Sequence, residues 1–210
     1  MVGSWAFTGT AALPGVYVVS APFVPAFHNS SFKVLSLEGN TESYVELTNN
    51  GDLIVTSFTW SADVYPELGD GPLFNWISAP PAPADDYWGT HIWIYQSLLY
   101  VSLVHVSGLP THRFHSHPPL LTKWNKLAVS YDSITRTLQM YVNGHVEQYL
   151  AVSSEPISTY GQVMIGSLYY YSKEPKETRA FRGKIACVKL LNIFKDLHSF
   201  PSETLRCKHV

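Results

Sequence analysis

The sequence predicts an all-β fold built from many short antiparallel strands, and three observations predict it. Aromatic residues are plentiful, with 6 Trp, 13 Tyr and 10 Phe in 210 residues, and these side chains suit a pleated, half-buried surface. Stretches in which apolar and polar residues alternate recur along the chain, whereas the spacing of an amphipathic helix is hard to find. The 14 Pro and 13 Gly are scattered along the chain instead of clustered in repeats, which suits turns between strands and excludes a collagenous or low-complexity chain.

Taken in order, residues 43–47 read as a strand and Asn49-Asn50-Gly51-Asp52 as the turn after it. Residues 55–64 place Phe58, Trp60 and Ala62 on one face against Ser57, Thr59, Ser61 and Asp63 on the other, the pattern of a sheet with one wet face. A short strand over 73–77 precedes residues 78–86, where Pro80, Pro81 and Pro83 demand an exposed loop. Residues 91–95 and 99–106 form a hairpin around Gln96, Ser97 and Leu98, and a polar segment containing His and Pro follows over 107–119. Residues 127–131 and 138–142 make a second hairpin. Asn143-Gly144 is the sharpest turn signal, because both residues tolerate the positive φ of a primed hairpin turn, and it leads into a strand over 146–150. Strands over 163–165 and 184–191 come last, with a helical turn near 194–197. No repeat or linker divides the chain, and 210 residues fit one all-β domain.

Charge and hydropathy narrow the partners. The net charge is -2 and no run of Lys or Arg exceeds two residues, so the basic surface that neutralises phosphates is missing and nucleic acid is not a partner. Residues 92–106 are the most apolar stretch, but Gln96, Ser97, Ser102 and His105 interrupt it, and it is too short for a membrane-spanning helix. No basic segment followed by an apolar core opens the chain, so no secretory signal is read there. Asn29-Ser30-Ser31 is an N-glycosylation acceptor consistent with secretion. Cys187 and Cys207 are the whole cysteine supply. From the residues alone they are either a disulfide of an oxidising compartment or two buried thiols.

Catalytic patterns are missing. No pair of carboxylates at strand spacing, Gly-x-Ser-x-Gly elbow, His-Glu-x-x-His helix or glycine-rich phosphate loop occurs, so the sequence offers no residues for an enzyme. No cofactor is assigned. His112, His115 and His117 have a spacing compatible with zinc or copper but lack adjacent Cys or carboxylate ligands. Asp63, Asp70, Asp85 and Asp86 lie in or beside loops and could supply calcium oxygens, solvated loop charge being the plainer reading. The stronger binding candidates are Asp85, Asp86, Tyr87 and Trp88 beside the Pro-rich loop, and Tyr169, Tyr170 and Tyr171 after a strand. Flat rings bordered by polar groups suit a sugar or a protein hot spot.

A set of motifs stands in order: Ser43-Tyr44-Val45-Glu46-Leu47, Phe58-Thr59-Trp60-Ser61-Ala62, Gly71-Pro72-Leu73-Phe74, Trp124-Asn125-Lys126-Leu127-Ala128-Val129-Ser130-Tyr131-Asp132, Leu138-Gln139-Met140-Tyr141-Val142-Asn143-Gly144, Val163-Met164-Ile165-Gly166 and Phe181-Arg182-Gly183-Lys184-Ile185. Together they resemble the laminin-G-like branch of the concanavalin-A-like lectins over residues 35–207. The resemblance implies a two-sheet antiparallel jelly-roll sandwich, one domain over 1–210, and a non-catalytic extracellular recognition module. It implies a glycan ligand held by loops or the concave sheet face, with a protein-binding adhesion or matrix module, self-associating or not, as the alternative. It also implies a bridge between Cys187 and Cys207 that ties the C-terminal segment to the sheet. The acidic stretch of the pentraxin calcium site is replaced here by Ser167-Leu168-Tyr169-Tyr170-Tyr171-Ser172. The oligomeric state is not legible in the sequence.

Overall fold

The computed structural model describes residues 16–19, 23–25, 33–40, 42–68, 70–77, 88–107, 110–117, 119–120, 122–150, 152, 155–168 and 179–199. These residues hold strands β1 (Val16–Val19), β2 (Phe23–Pro25), β3 (Lys33–Glu38), β4 (Tyr44–Leu47), β5 (Phe58–Pro66), β6 (Gly71–Ile77), β7 (Trp88–Tyr95) and β8 (Leu98–Val104). They continue with β9 (Pro110–His115), β10 (Asn125–Asp132), β11 (Thr137–Val142), β12 (His145–Tyr149), β13 (Val163–Ile165), β14 (Ser167–Leu168), β15 (Arg179–Ala180) and β16 (Arg182–Leu191). Two seven-stranded sheets, β1-β4-β13-β6-β7-β8-β9 and β12-β11-β10-β5-β16-β3-β2, form a sandwich, and β14 pairs with β15 beside them. Every strand pairing is antiparallel.

The core follows from alternation. Phe58, Trp60, Ala62 and Val64 of β5 meet Ile92 and Ile94 of β7, Leu99, Val101 and Leu103 of β8, and Leu127, Val129 and Tyr131 of β10 in one buried cluster. Aromatic rings form its centre, with Phe74 and Trp76 4.9 Å apart edge to face and Phe58 5.6 Å from Trp76. Such pairs add about 0.5–1.5 kcal/mol each beyond area burial. The Trp76 indole N–H donates to Leu53 O at 3.0 Å, so the polar edge of the ring is satisfied in the dry interior.

Turns set the register. Asn143 and Gly144 have φ of +52° and +100°, as the primed turn requires. The Asn143 amide works further, accepting the Lys126 N–H and donating to Asn125 Oδ1, both at 2.9 Å. The β7–β8 hairpin is tighter than the sequence implies. Leu98 pairs with Tyr95, leaving only Gln96 and Ser97 in the turn, at φ of +50° and +61°. Neither is glycine, and the Asp70 carboxylate steadies the strained turn by accepting the Gln96 N–H. Gly166 and Gly183 mark close approaches. A Cβ on Gly183, at φ +150°, would come within 2.2 Å of Tyr65 O, and one on Gly166, at φ +85°, within 2.5 Å of Leu37 Cδ1.

Two expectations are corrected. The outer face of β5 is not simply wet: Thr59 and Ser61 are buried, because residues after β16 lie across it as a strap. Thr59 Oγ1 donates to Ile193 O at 2.8 Å, and the Lys195 N–H donates to both Thr59 Oγ1 and Ser130 Oγ at 2.9 Å. Residues 194–197 accordingly form no helical turn. The Lys195 and Leu197 N–H groups go to sheet side chains, that of Leu197 reaching Gln139 Oε1 at 2.6 Å, instead of to a preceding turn. The polar segment after β8 contains an edge strand, β9, whose Pro110 stands at its first position, where a missing N–H is tolerated.

Candidate functional site

Strand alternation that buries Ile92 and Ile94 turns His91, Trp93 and Tyr95 of β7 to the opposite, outer face of the sheet. On β8, Tyr100 and Ser102 alternate with the buried Leu99, Val101 and Leu103, and on β9 Arg113 and His115 flank the core-facing Phe114. Register then aligns two cross-strand rows. His91, Ser102 and Arg113 form one, and Trp93, Tyr100 and His115 form the other. Opposed side chains of a ladder lie close enough for direct contact. Accordingly Tyr100 and His115 have ring centroids 4.8 Å apart, Tyr95 lies 6.1 Å from Tyr100 and 6.0 Å from His115, and His91 lies 5.1 Å from Trp93.

Exposure rises across this patch, from Trp93 at 3% and His91 at 7% to Tyr95 at 39%, with Tyr100 and His115 half-buried and Arg113 exposed. The inner end is rigidly held. The Trp93 indole N–H donates to Asn75 Oδ1, and Asn75 Nδ2 lies 3.4 Å from Ser167 O and 3.5 Å from Met164 O. The Arg179 guanidinium sits 5.2 Å from the Trp93 ring centroid, a cation–π contact. His91 Nδ1 lies 2.9 Å from Gly89 O, and because a carbonyl only accepts, that nitrogen carries the hydrogen. Burial, against the Gly89 hydrogen bond and with help from the Arg113 and Arg179 charges, lowers the His91 pKa to about 4, so the ring is neutral at pH 7. Ser102 Oγ is buried on the same face without a hydrogen-bond partner among the described residues.

The open edge is tied to the other sheet. The Tyr149 hydroxyl of β12 lies 2.7 Å from His115 O and 2.9 Å from Glu147 Oε2, and shares its hydrogen between these acceptors. The His117 N–H donates to Glu147 Oε1 at 2.7 Å, while His117 Nδ1 and His145 Nε2 lie 3.0 and 3.4 Å from the same carboxylate. Burial pushes the Glu147 pKa up, but the donated hydrogen bonds of His117 and Tyr149 outweigh it and leave it below the ordinary value. Burial and then Glu147 push the Tyr149 hydroxyl up to about 12.

The structure disperses the three histidines proposed as metal ligands. His112 stacks on Phe114 at 6.0 Å, His115 faces the other side of β9 with Tyr95 and Tyr100, and His117 is engaged by Glu147. Alternation separates residues three apart onto opposite faces. Among the described residues no group of three or more His, Cys, Asp or Glu is placed to hold a metal. Asp63 stands on β5 near Lys126 and Lys189, its pKa raised by burial against those lysines. Asp70 serves the β7–β8 turn. These two acids do not form a calcium site with each other. Asn29, Asp85, Asp86, Tyr87, Tyr169, Tyr170, Tyr171 and Cys207 lie outside the described residues, and Trp88 enters only through its backbone, paired with Ile77. Cys187 is not a free thiol. It occupies a bulge in β16 at φ +57°, which places it with Val34, Ala186 and Trp124 in a small cluster apart from the main core. Apart from His115, which the sequence offered only as a metal ligand, the sheet-face residues were missed by sequence reasoning, although the alternating His91-x-Trp93-x-Tyr95 was the signal available for three of them.

The Laminin_G_3 family model, described as the Concanavalin A-like lectin/glucanases superfamily, matches residues 38–194. No curated protein matches the chain by sequence. Among solved structures the chain is similar to the Ruminococcus gnavus IT-sialidase CBM40 bound to α2,3-sialyllactose, at 12% identity and TM-score 0.62 over 78% of this chain and 91% of that one. A native heptameric SAP-like pentraxin from Limulus polyphemus aligns at 16% identity and TM-score 0.56, covering 78% of this chain and 77% of the pentraxin. The binding domain of botulinum neurotoxin serotype G aligns at 11% identity and TM-score 0.62 over 86% of this chain, which spans only 44% of that domain. At these identities the likeness is one of fold.

Proposed function

Since the chain belongs to the concanavalin A-like lectin/glucanases superfamily over most of its length, we propose that it is a non-catalytic glycan-binding module whose ligand stacks on the outer face formed by Tyr95, Tyr100 and His115. The observation that carries this reading is the packing of three flat rings with centroids 4.8–6.1 Å apart, half-buried to exposed and bordered by hydrogen-bonding side chains. Rings of this kind lose little conformational entropy on binding, because neighbouring strands already orient them. Glycosidase chemistry needs two carboxylates facing a scissile bond, and this face instead offers rings, imidazoles and guanidinium groups, which bind. The likeness in fold to a domain whose structure holds sialyllactose supports the reading. In this proposal the chain is one extracellular domain over 1–210, a Cys187–Cys207 bridge anchors its C-terminal segment, and Asn29 carries a glycan.

A glycan array followed by titration calorimetry tests the site. Tyr100→Ala and Tyr95→Ala are expected to weaken sugar-competable binding about tenfold or more, as loss of a stacking ring costs upward of roughly 1.4 kcal/mol. Silence of the intact protein on the array would overturn the glycan reading in favour of protein recognition, and undiminished binding by both variants would move the site elsewhere.

A further inference from the structure

Two arginines stand on the same outer face. Arg113 projects from β9 in the row of Ser102 and His91, is exposed, and forms no ion pair with any described residue. Arg179 enters from β15, its guanidinium placed 5.2 Å from the Trp93 ring centroid. Arg113 shares a cross-strand row with His91, and Arg179 lies against Trp93, whose ring centroid is 5.1 Å from that of His91, so both guanidinium groups border the His91–Trp93 part of the face. The His91 imidazole is neutral and adds no opposing charge. Asp70, the acid nearest the β7–β8 turn, is committed to the Gln96 N–H.

We infer that the ligand of this face is an acidic sugar, whose carboxylate or sulfate group lies between Arg113 and Arg179 while its ring stacks on Tyr100 and Tyr95. This rests on the glycan reading above and names the class of glycan. Arginine suits the task because its planar fork of N–H donors matches the oxygens of a carboxylate or sulfate in pairs. The rigid contact of Arg179 with Trp93 reduces the side-chain freedom lost on binding. Division of labour follows: rings supply affinity for any pyranose, and the arginines supply discrimination between acidic and neutral ones.

The test compares four probes by calorimetry on the intact chain: lactose, 3′-sialyllactose, the methyl ester of 3′-sialyllactose and 3′-sulfolactose. The expected result is a preference of about tenfold or more for an acidic probe over lactose, lost in the methyl ester if carboxylate is the anion and met by the sulfated probe if sulfate is. The preference should shrink as ionic strength rises. Arg113→Gln should abolish the preference, bringing the ratio of acidic-probe to lactose affinity to about one, and Arg113→Lys should restore part of it. Equal binding of all four probes, or a preference that survives both Arg113→Gln and Arg179→Gln, would overturn the inference and leave the glycan reading standing. Failure of every probe and of the wider array to bind would instead sink the glycan reading, and this inference with it.

Discussion

Replacing Glu147 by Gln should loosen the strand that carries His115, and the structure sets both the size and the pH dependence of the effect. Glu147 is 11% exposed and receives the His117 N–H at 2.7 Å and shares the Tyr149 hydroxyl at 2.9 Å. The imidazoles of His117 and His145 are largely exposed, at 87% and 59%, so their ion pairs are screened and carry no weight in the sum. Hydrogen bonds to a charged group contribute about 1.5–3 kcal/mol against roughly half that for a neutral acceptor. Gln retains one acceptor oxygen but turns an N–H₂ toward a donor. A net loss of about 1–2 kcal/mol follows, or a fall of roughly 2–8 °C in Tm for a chain of this size.

The sign of the pH effect follows from the lowered carboxyl pKa. A group more acidic in the folded than in the unfolded chain stabilises fully above its unfolded value, 4.5 for Glu, and that stabilisation is lost as pH falls through the lower folded value. The wild type and Glu147→Gln should therefore differ most at pH 6–8 and converge in acid below the ordinary carboxylate range. Thermal melts across pH measure the difference, and amide exchange should locate it in β9, an edge strand whose opening needs little else to break. An unchanged melt at pH 7, or a gap that persists undiminished in strong acid, would refute the assignment of Glu147 as the acceptor that ties the two sheets together.

Gly183→Ala should destabilise by more than about 2 kcal/mol, because its Cβ would meet Tyr65 O at 2.2 Å at a φ that L residues rarely adopt; a denaturation midpoint within error of wild type would show that the strand accommodates it. Thr59→Val should cost about 1–3 kcal/mol by leaving Ile193 O without the hydroxyl donor and removing one acceptor of the Lys195 N–H, and should expose the strap to limited proteolysis before the sheet unfolds. Reduction of the proposed Cys187–Cys207 bridge should lower Tm without abolishing the fold, and mass spectrometry finding two free thiols in the native protein would contradict it.

Much of the sandwich is legible in the chain because the responsible forces are local. Phe58, Trp60 and Ala62 declare a core face by period two, and Asn143-Gly144 declares a turn by its tolerance of positive φ. β9 is harder to read, since Pro110, His112, Arg113 and His115 resemble loop composition, and only its pairing with Tyr100, Ser102 and Leu103 makes it a strand. The wet face expected for Thr59 fails for a similar reason, as the residues that cover it, 193–197, are remote in sequence.

By itself, then, the sequence determined which side chains point inward and where the chain reverses, since both depend on neighbours one to four residues away. Tertiary structure alone decided that Tyr100 stacks beside His115, that Arg179 lies over Trp93 and that Glu147 holds His117. Outward-facing residues pay little for almost any neighbour, so nothing in their own local pattern selects a partner. Strand order and register, set by burial on the opposite side, bring them together.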